Sequence, residues 1–509
     1  MSKKIWMIGL GCLAAAGLAV SGAIIFNRLG PEGNPGAGAP AAAFKAEKGW
    51  DLRDECDFSV KELTLRAKGR YKLTCAYEKE RKKVKWKMAD ASVATANSDG
   101  TVRGKAKGET TLTAFYKGEP VITGVPVRVD RDPPPLPGDI APPRYRLADG
   151  IYKNPESNGA NRAVISLTGD LMCNHQQQQA ARVGDTHDFS ACFTPVKGIL
   201  EKSDFVFGNL ETTLSHTLPY REERKRILIK GKKKPYLNAP PAYLAALRHA
   251  GFDAVATANN HSADTGLQGV LETLQNLEGY GVLSSGMFSS AEESRFLPVE
   301  INGIRVAFLS YAEEFAGCAD DIPPKDRETH LNLYSEGKVK SDVSAARAAG
   351  AEYIIAYMHW GPLNKAEPRK SQTKMAQEAA NAGVDYIVGS HPHVLQKYDA
   401  VTAEDGRVVP VAYSLGNFMS NLNMTDADGN EYGNRDTVIL QIELEKAEGG
   451  VRLAREGYIP CFIMTKWEGV SFVVVPCSAG GGDENAQKHL REARERVAAA
   501  MGGKIQPSE

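Results

Sequence analysis

The chain has 509 residues, and its 62 lysines and arginines balance 62 aspartates and glutamates. That length accommodates more than one domain, and 42% hydrophobic residues is the composition of an ordinary globular protein. With a formal net charge of zero, nothing global points to nucleic acid.

Lys3 and Lys4 precede a nearly unbroken apolar run from Ile5 to Phe26, closed by Asn27 and Arg28. About 20 apolar residues span a bilayer, whereas the core of a cleavable signal is shorter, about 7 to 15. Residues 1–28 therefore read as an uncleaved signal anchor that leaves the bulk of the chain outside the cytoplasm, in a single-pass membrane protein. Cleavage in the Ala-rich stretch Ala37 to Ala43 is the alternative. Residues 29–49 are a Gly/Pro/Ala spacer. Residues 50–130 carry short alternating strands broken by Asp99-Gly100, Gly104 and Gly108, the pattern of a small β-sandwich. Here Trp86, Ser92 to Ala94, Asp99 to Val102 and Gly108 to Ala114 resemble a bacterial Ig-like domain of the BIG2 group, which implies a spacer or adhesion module at a cell surface.

Residues 131–160 form a second linker, stiffened by prolines. From 161 to 476 the grammar changes to apolar strands that run directly into polar residues. AVISLTGD ends at Asp170, DFVFGNLE at Asn209 and Glu211, and DAVATANNH at Asn259, Asn260 and His261. RVAFLSYAEE ends at Glu313 and Glu314, YIIAYMHWG at His359, VDYIVGSHPHV at His391 and His393, and VVPVAYSLGNF at Asn417. Continuous apolar strands suit a sheet covered on both faces. Helical segments lie between several of them, and HAGFDAVA, AAGAEYII and NAGVDYIV place Gly251, Gly350 and Gly383 where a helix needs a left-handed terminator. The fold class is α/β, a layered α/β domain behind an Ig-like sandwich and a membrane anchor, with its site at the carboxyl ends of the strands. Residues 477–509 are a Gly-rich break and a charged helix, solvated or packing rather than functional.

Seven cysteines remain outside the anchor, an odd number, and no CxxC spacing occurs, which argues against a structural zinc site. Cys56 with Cys75 and Cys173 with Cys192 are expected bridges by proximity.

Two divalent ions held close together need carboxylates to bridge, imidazoles to bind through nitrogen, and an amide oxygen where more charge is unwanted. Asp170, Glu211, Asn260, His359, His391 and His393 supply that set in order. A lone histidine on an apolar strand is more often a satisfied core residue than a ligand. Four of the ten histidines at strand ends make a pattern that single residues do not. His187, His216, His249, His330 and His489 read as surface, and His175, close behind GDLMCN, stays open.

GDLM, GNLET, ANNHSADTG, HWG, GSHPHVLQ and YSLGNF, in that order, resemble the capsule-synthesis CapA family, also called PgsA-like or PGA_cap, which is associated with poly-γ-glutamate and is similar to calcineurin-like metallophosphoesterases. The resemblance implies a metallophosphoesterase-like domain with two divalent ions (manganese, iron or zinc) held by Asp170, Glu211, Asn260, His359, His391 and His393, with Glu211 bridging. It implies His261 as general acid and Asp264 as the carboxylate that orients it. The chain departs from the pattern at Glu211, where phosphoesterases have Asp, and at Met172, where they have the His of D-x-H. It departs again at Pro362 and Leu363 after HWG and at Ser390, where a His is common. Without the early His, one ion has fewer protein ligands unless His175 or water substitutes.

The basic segment RKRILIKGKKKPYLNAPP lies between the GNLE and NNH motifs, and a solvated loop is the bland reading of it. Over the ligand edge of the sheet, Lys230, Lys232 and Lys233 would attract a polyanion, with Asn417 as a further substrate contact. No G-x-x-x-x-G-K-[ST] loop is present, so ATP-driven polymerisation falls to a separate ligase, with which this protein would form a membrane complex. The expected function is membrane-anchored capsule-polymer synthesis or export with a metal-dependent hydrolase site. The alternatives are a non-catalytic polymer-binding surface protein and an extracellular metallophosphoesterase unrelated to capsule.

Overall fold

The computed structural model describes residues 142–508 apart from 158, 185, 217, 224–225, 230–231, 316–317 and 423–432, residues 83–129 apart from 99 and 117, and the short strands Leu63–Leu65 and Arg70–Lys72. The expected anchor, the spacer behind it, and Cys56 and Cys75 lie outside the described residues. Among the described residues no helix is long and apolar enough to cross a membrane.

In the N-terminal part, a four-stranded sheet runs in the order Leu63–Leu65, Glu119–Val129, Gly108–Tyr116, Val84–Met88. A three-stranded sheet of Arg70–Lys72, Thr101–Gly104 and Ala94–Ala96 faces it. Gly108–Tyr116 alternates buried and half-buried positions, the period-two signature of a strand with one face on the core. Leu112, Val127 and Val129 of one sheet meet Ala94 and Val102 of the other. Leu218, from the α/β part, completes that core.

The α/β part is built on two sheets rather than one. The first runs Leu283–Ser285, Ala254–Ala256, Phe205–Leu210, Arg162–Leu171, Asp436–Ala447, Gly450–Trp467, Val470–Pro476, parallel at its start and antiparallel after Arg162–Leu171. The second runs Leu395–Thr402, Val408–Leu415, Tyr386–Ser390, Tyr353–His359, Ile304–Ala312, Leu297–Ile301, Ile151–Lys153, Arg146–Ala148. Between them lies one core in which Ile165, Leu167 and Phe207 of the first sheet pack against Phe308, Ile355 and Val388 of the second. On the outer face of the first sheet, Val206 and Val255 pack with Leu244 and Leu247 of the helix Ala242–Ala250. On the outer face of the second, Leu309, Ile354 and Ile387 pack with Val343 of Glu336–Ala348 and Ala376 of Lys370–Ala382. The order is helix, sheet, sheet, helix. The central apolar strands are covered on both faces, as their runs require, but one cover is the other sheet.

Gly251, Gly350 and Gly383 have φ of 103°, 90° and 106°, the left-handed conformation that ends a helix at little cost only for glycine. The C-terminal helix Glu484–Met501 buries Leu490 and Ala493 against Phe462 and sends Val497 and Met501 into the core between the sheets, so one of its faces packs.

The sheets are pinned just beneath their carboxyl ends. Phe207 stacks on Phe308 with ring centroids 4.7 Å apart and meets Tyr357 at the same separation. The Tyr357 hydroxyl donates to the Phe207 carbonyl at 3.0 Å across the inter-sheet gap. Removing a buried aromatic such as Phe308 costs about 3–5 kcal/mol, and here it would also loosen the relation between the two sheets.

Candidate metal centre

The two sheets end at one cavity of about 770 Å³, lined among others by Asn260, His261, His359, His391 and His393. The first sheet brings Asp170, Glu211, Asn260 and His261 to it, and the second brings His359, His391 and His393. A register slip between Leu167 and Asp170 lets the strand turn Asp170 toward the gap. The glycines of the motifs allow the backbones to close in. A Cβ at Gly169 would run into the Gly416 carbonyl, and one at Gly389 into the Tyr413 carbonyl.

Glu211 is fully buried, and neither of its carboxylate oxygens has a hydrogen-bond partner. Its Oε1 lies 3.7 Å from His359 Nε2, 3.7 Å from His393 Nε2 and 4.0 Å from His261 Nε2. Two metal-capable groups share it, Glu211 with His359 and His391, and Glu211 with Asp170 and His393, the ligand atoms of each group lying within 4.8 Å of one another. Burial first, then the neighbouring Asp170 and Asp264, push the Glu211 carboxyl well above the usual carboxylate range.

Around the first group, His359 Nε2 stands 2.9 Å from both Asn260 Oδ1 and His391 Nδ1. At most one hydrogen on that nitrogen serves both neighbours, so lone pairs converge there. Burial, then the other imidazoles, push His359 well below the ordinary histidine range and His391 down to about 3. The ring is steadied from behind by Ser390 Oγ at 2.9 Å from His359 Nδ1 and by Asn209 Nδ2 at 3.3 Å. His391 sits at φ 96° and His393 at φ 58°, left-handed positions that are rare for residues with a side chain.

Around the second group, His393 Nδ1 lies 2.9 Å from Asn417 Oδ1 and 3.2 Å from Asp170 Oδ2, which leaves Nε2 toward Glu211. Asn209 donates to Asp170 Oδ1 at 2.8 Å. His261 stands to one side, with Nδ1 2.7 Å from Asp264 Oδ2, an oxygen that also accepts the Leu237 N–H at 2.7 Å. His175 opens the helix His175–Ala180 and belongs to neither metal-capable group.

The donor set fits divalent ions. A buried carboxylate without partners, faced by imidazole and amide lone pairs, is a costly arrangement that a cation relieves. Of the substrate contacts expected from the sequence, Asn417 lies behind His393. Asn417 is fully buried, with its Oδ1 2.9 Å from His393 Nδ1 and its amide donating to the Asn434 carbonyl at 2.8 Å. Lys232 and Lys233 belong to the hairpin strand Lys232–Pro235. Lys230 lies outside the described residues. Among the described residues, Arg221 and Arg369 are cations that line the cavity, and neither was among the residues the sequence singled out. Ser390 and Asn209 were also missed as supports, although both flank motif residues. Cys173 and Cys192 are free thiols, not a bridge. Cys192 points instead to the Ser471 carbonyl at 3.8 Å, and burial pushes it up to about 12.

Residues 164–422 match the family described as Bacterial capsule synthesis protein PGA_cap, and residues 57–123 match Bacterial Ig-like domain (group 2). Over 292 residues the chain is 27% identical to the PGA biosynthesis protein CapA of Bacillus subtilis (strain 168), covering 55% of this chain and 67% of that one. It is 29% identical to the capsule biosynthesis protein CapA of Bacillus anthracis over 262 residues, 51% of this chain and 60% of that one. The chain thus spans about two thirds or less of these relatives' lengths. Among solved structures, the calcineurin-like phosphoesterase YfkN from Bacillus subtilis is 13% identical with a TM-score of 0.32, covering 66% of this chain and 98% of that one, a likeness too loose to bear on the chemistry.

Proposed function

The chain belongs to the bacterial capsule synthesis protein family PGA_cap, and on that premise we propose that it acts in the synthesis, export or trimming of an anionic surface polymer of the poly-γ-glutamate kind, as a hydrolase using two divalent metal ions. The observation that carries this reading is Glu211, a buried carboxylate with two unpartnered oxygens between two sets of ligands. Glu211, Asn260, His359 and His391 would hold one ion, and Asp170, Glu211 and His393 the other. When bound, the ions supply Lewis acidity and an activated water.

The chain's own residues supply the rest. Because His359 and His391 are pushed down, both stay neutral, and so able to ligate, far below pH 7. Asp264 fixes the His261 ring through Nδ1 at 2.7 Å, which turns Nε2 toward the cavity to protonate a leaving oxygen or nitrogen. The apolar run behind Lys3 and Lys4 supports tethering at the membrane with the α/β part outside the cytoplasm. The absence of an ATP-binding loop in the sequence supports a separate ATP-dependent ligase as partner. One observation favours a second reading, a non-catalytic polymer-binding protein: Met172 stands where a second imidazole would complete the Asp170 side.

Metal analysis joined to an activity screen tests the proposal. The purified chain is expected to carry manganese, zinc or iron and to cleave oligo-γ-glutamate or a phosphodiester. A protein that holds none of these ions and cleaves neither substrate would falsify the hydrolase reading.

A further inference from the structure

Beside the carboxylates and imidazoles, the cavity is lined by a cation, Arg221, that forms no ion pair among the described residues. Arg221 lies on the loop after the strand Phe205–Leu210, and its backbone N–H donates to the Asn238 carbonyl at 2.8 Å, which anchors the loop. Its side chain lines the same cavity as Asn260, His261, His391 and His393. The guanidinium Nε and Nη1 are buried and meet no acceptor. Burial pushes its pKa below the ordinary arginine value, with the Asp264 carboxylate acting in the opposite direction. Yet no ion pair joins the two, and Asp264 already serves His261 and the Leu237 N–H. Arg144, Arg407 and Arg496, also partly buried, each meet a carboxylate.

A guanidinium is kept half-buried without a counter-charge where a ligand brings one, and its planar edge matches the two oxygens of a carboxylate or phosphate. A simple phosphodiester carries one anionic group, which ions held by the ligand set would attract. A second, cationic recess beside it calls for a substrate with another oxyanion next to the bond that breaks. Arg369, exposed at the mouth of the cavity, extends the same preference outward.

We propose that Arg221 is the specificity-determining residue of this cavity, its guanidinium holding an oxyanion of the substrate adjacent to the scissile bond. The substrate class is then a polyanionic chain, in which successive units each carry a carboxylate or phosphate. The inference rests on the hydrolase reading for the words "scissile bond" but not for the binding itself, and the experiment separates the two.

The full chain loaded with manganese is assayed on oligo-γ-glutamate and on the same oligomer with its α-carboxylates methyl-esterified, in wild type, Arg221→Gln and Arg221→Lys. In Arg221→Gln the preference for the acid over the ester is expected to fall by roughly 10- to 100-fold, the range for lost hydrogen bonds to a charged group, chiefly through KM. Arg221→Lys should restore part of it. Equal loss of kcat on both substrates would mean that Arg221 only balances Asp264, and an unchanged preference would mean that it touches no substrate; either result overturns the proposal. If wild type cleaves neither oligomer, calorimetric binding of the unesterified oligomer decides. Weaker binding by Arg221→Gln supports the oxyanion site although the hydrolase reading has failed, and equal or absent binding overturns it. Competition by glutarate against inorganic phosphate then tells which oxyanion the site prefers.

Discussion

The two halves of the metal centre share Glu211 but are furnished differently. On one side Asn260, His359 and His391 crowd at 2.9 Å, all of them neutral donors from both sheets. On the other stand Asp170 and His393, with a thioether at Met172 and His175 outside the group. On the proposed ligand set, the first half would offer an ion four protein ligands counting Glu211 and Asn260, and the second three. Structural sites are closed by protein, whereas reactive ones keep a position free. On the two-ion proposal, the Asp170 half would be the one left open to solvent or substrate, and the His359 half the one that retains its ion.

The change that breaks both halves at once is Glu211→Gln. It removes the shared anion, and hydrolysis is expected to fall by at least about 10²–10³-fold, the range for losing one electrostatic stabiliser. Metal content should drop from two ions to no more than one by elemental analysis. The metal-free protein should move the other way. A carboxyl held above its ordinary value of 4.5 keeps its proton in the folded state where the unfolded chain has released it, so stability declines as pH rises past 4.5. In Glu211→Gln that decline should vanish from thermal melts. Its persistence would show that another group causes it.

His261→Asn leaves both halves intact and removes only the proton donor. Turnover should fall by roughly 10²–10⁴-fold while two ions remain bound. Loss of an ion with turnover would make His261 a ligand and not an acid.

The tips of the apolar strands made much of this site legible. Asp170, Glu211, Asn260, His359, His391 and His393 each follow a run that a strand must bury, and a polar side chain at such a tip has few other purposes. The partition into two sheets was not legible, because Ile354 or Val206 is equally apolar whether its cover is a helix or a second sheet. Asn417 looked like another free tip, but the chain crosses there from one sheet to the other, pairing with Asp170 and placing its Oδ1 2.9 Å from His393 Nδ1. Arg221 was hidden because YREERKR reads as solvated charge, and nothing in that run separates it from its neighbours. Cys173 and Cys192 are near in sequence, yet one lies beyond a strand and the other in the turn Ser190–Phe193, which packs its thiol elsewhere.

The supports behind the imidazoles sharpen the comparison more gently. Asn417→Ala should weaken the Asp170 half, and Ser390→Ala the His359 half, each by roughly 10- to 100-fold in metal affinity. Because the His359 ring is also reached by Asn209 at 3.3 Å, the Ser390 effect should be the smaller of the two in titration calorimetry.

The smallest effect concerns the backbone of the better-furnished half. His391 holds φ 96°, a conformation that costs a residue with a Cβ about 1–2 kcal/mol. Its pKa of about 3, against an ordinary 6.5, means that the metal-free fold has its full share of stability above pH 6.5 and loses it as pH falls toward 3. His391→Ala and His391→Gly both delete this titration and the ligand, so any difference between them belongs to the backbone. Glycine adopts positive φ freely but loses more entropy on folding, so the net gain of His391→Gly over His391→Ala should be about 1 kcal/mol. Denaturant midpoints of the two metal-free variants measure it. An alanine variant as stable as the glycine variant would mean that the left-handed turn relaxes once the imidazole is gone, and that it is the ligand position, not the turn, that the fold holds in place.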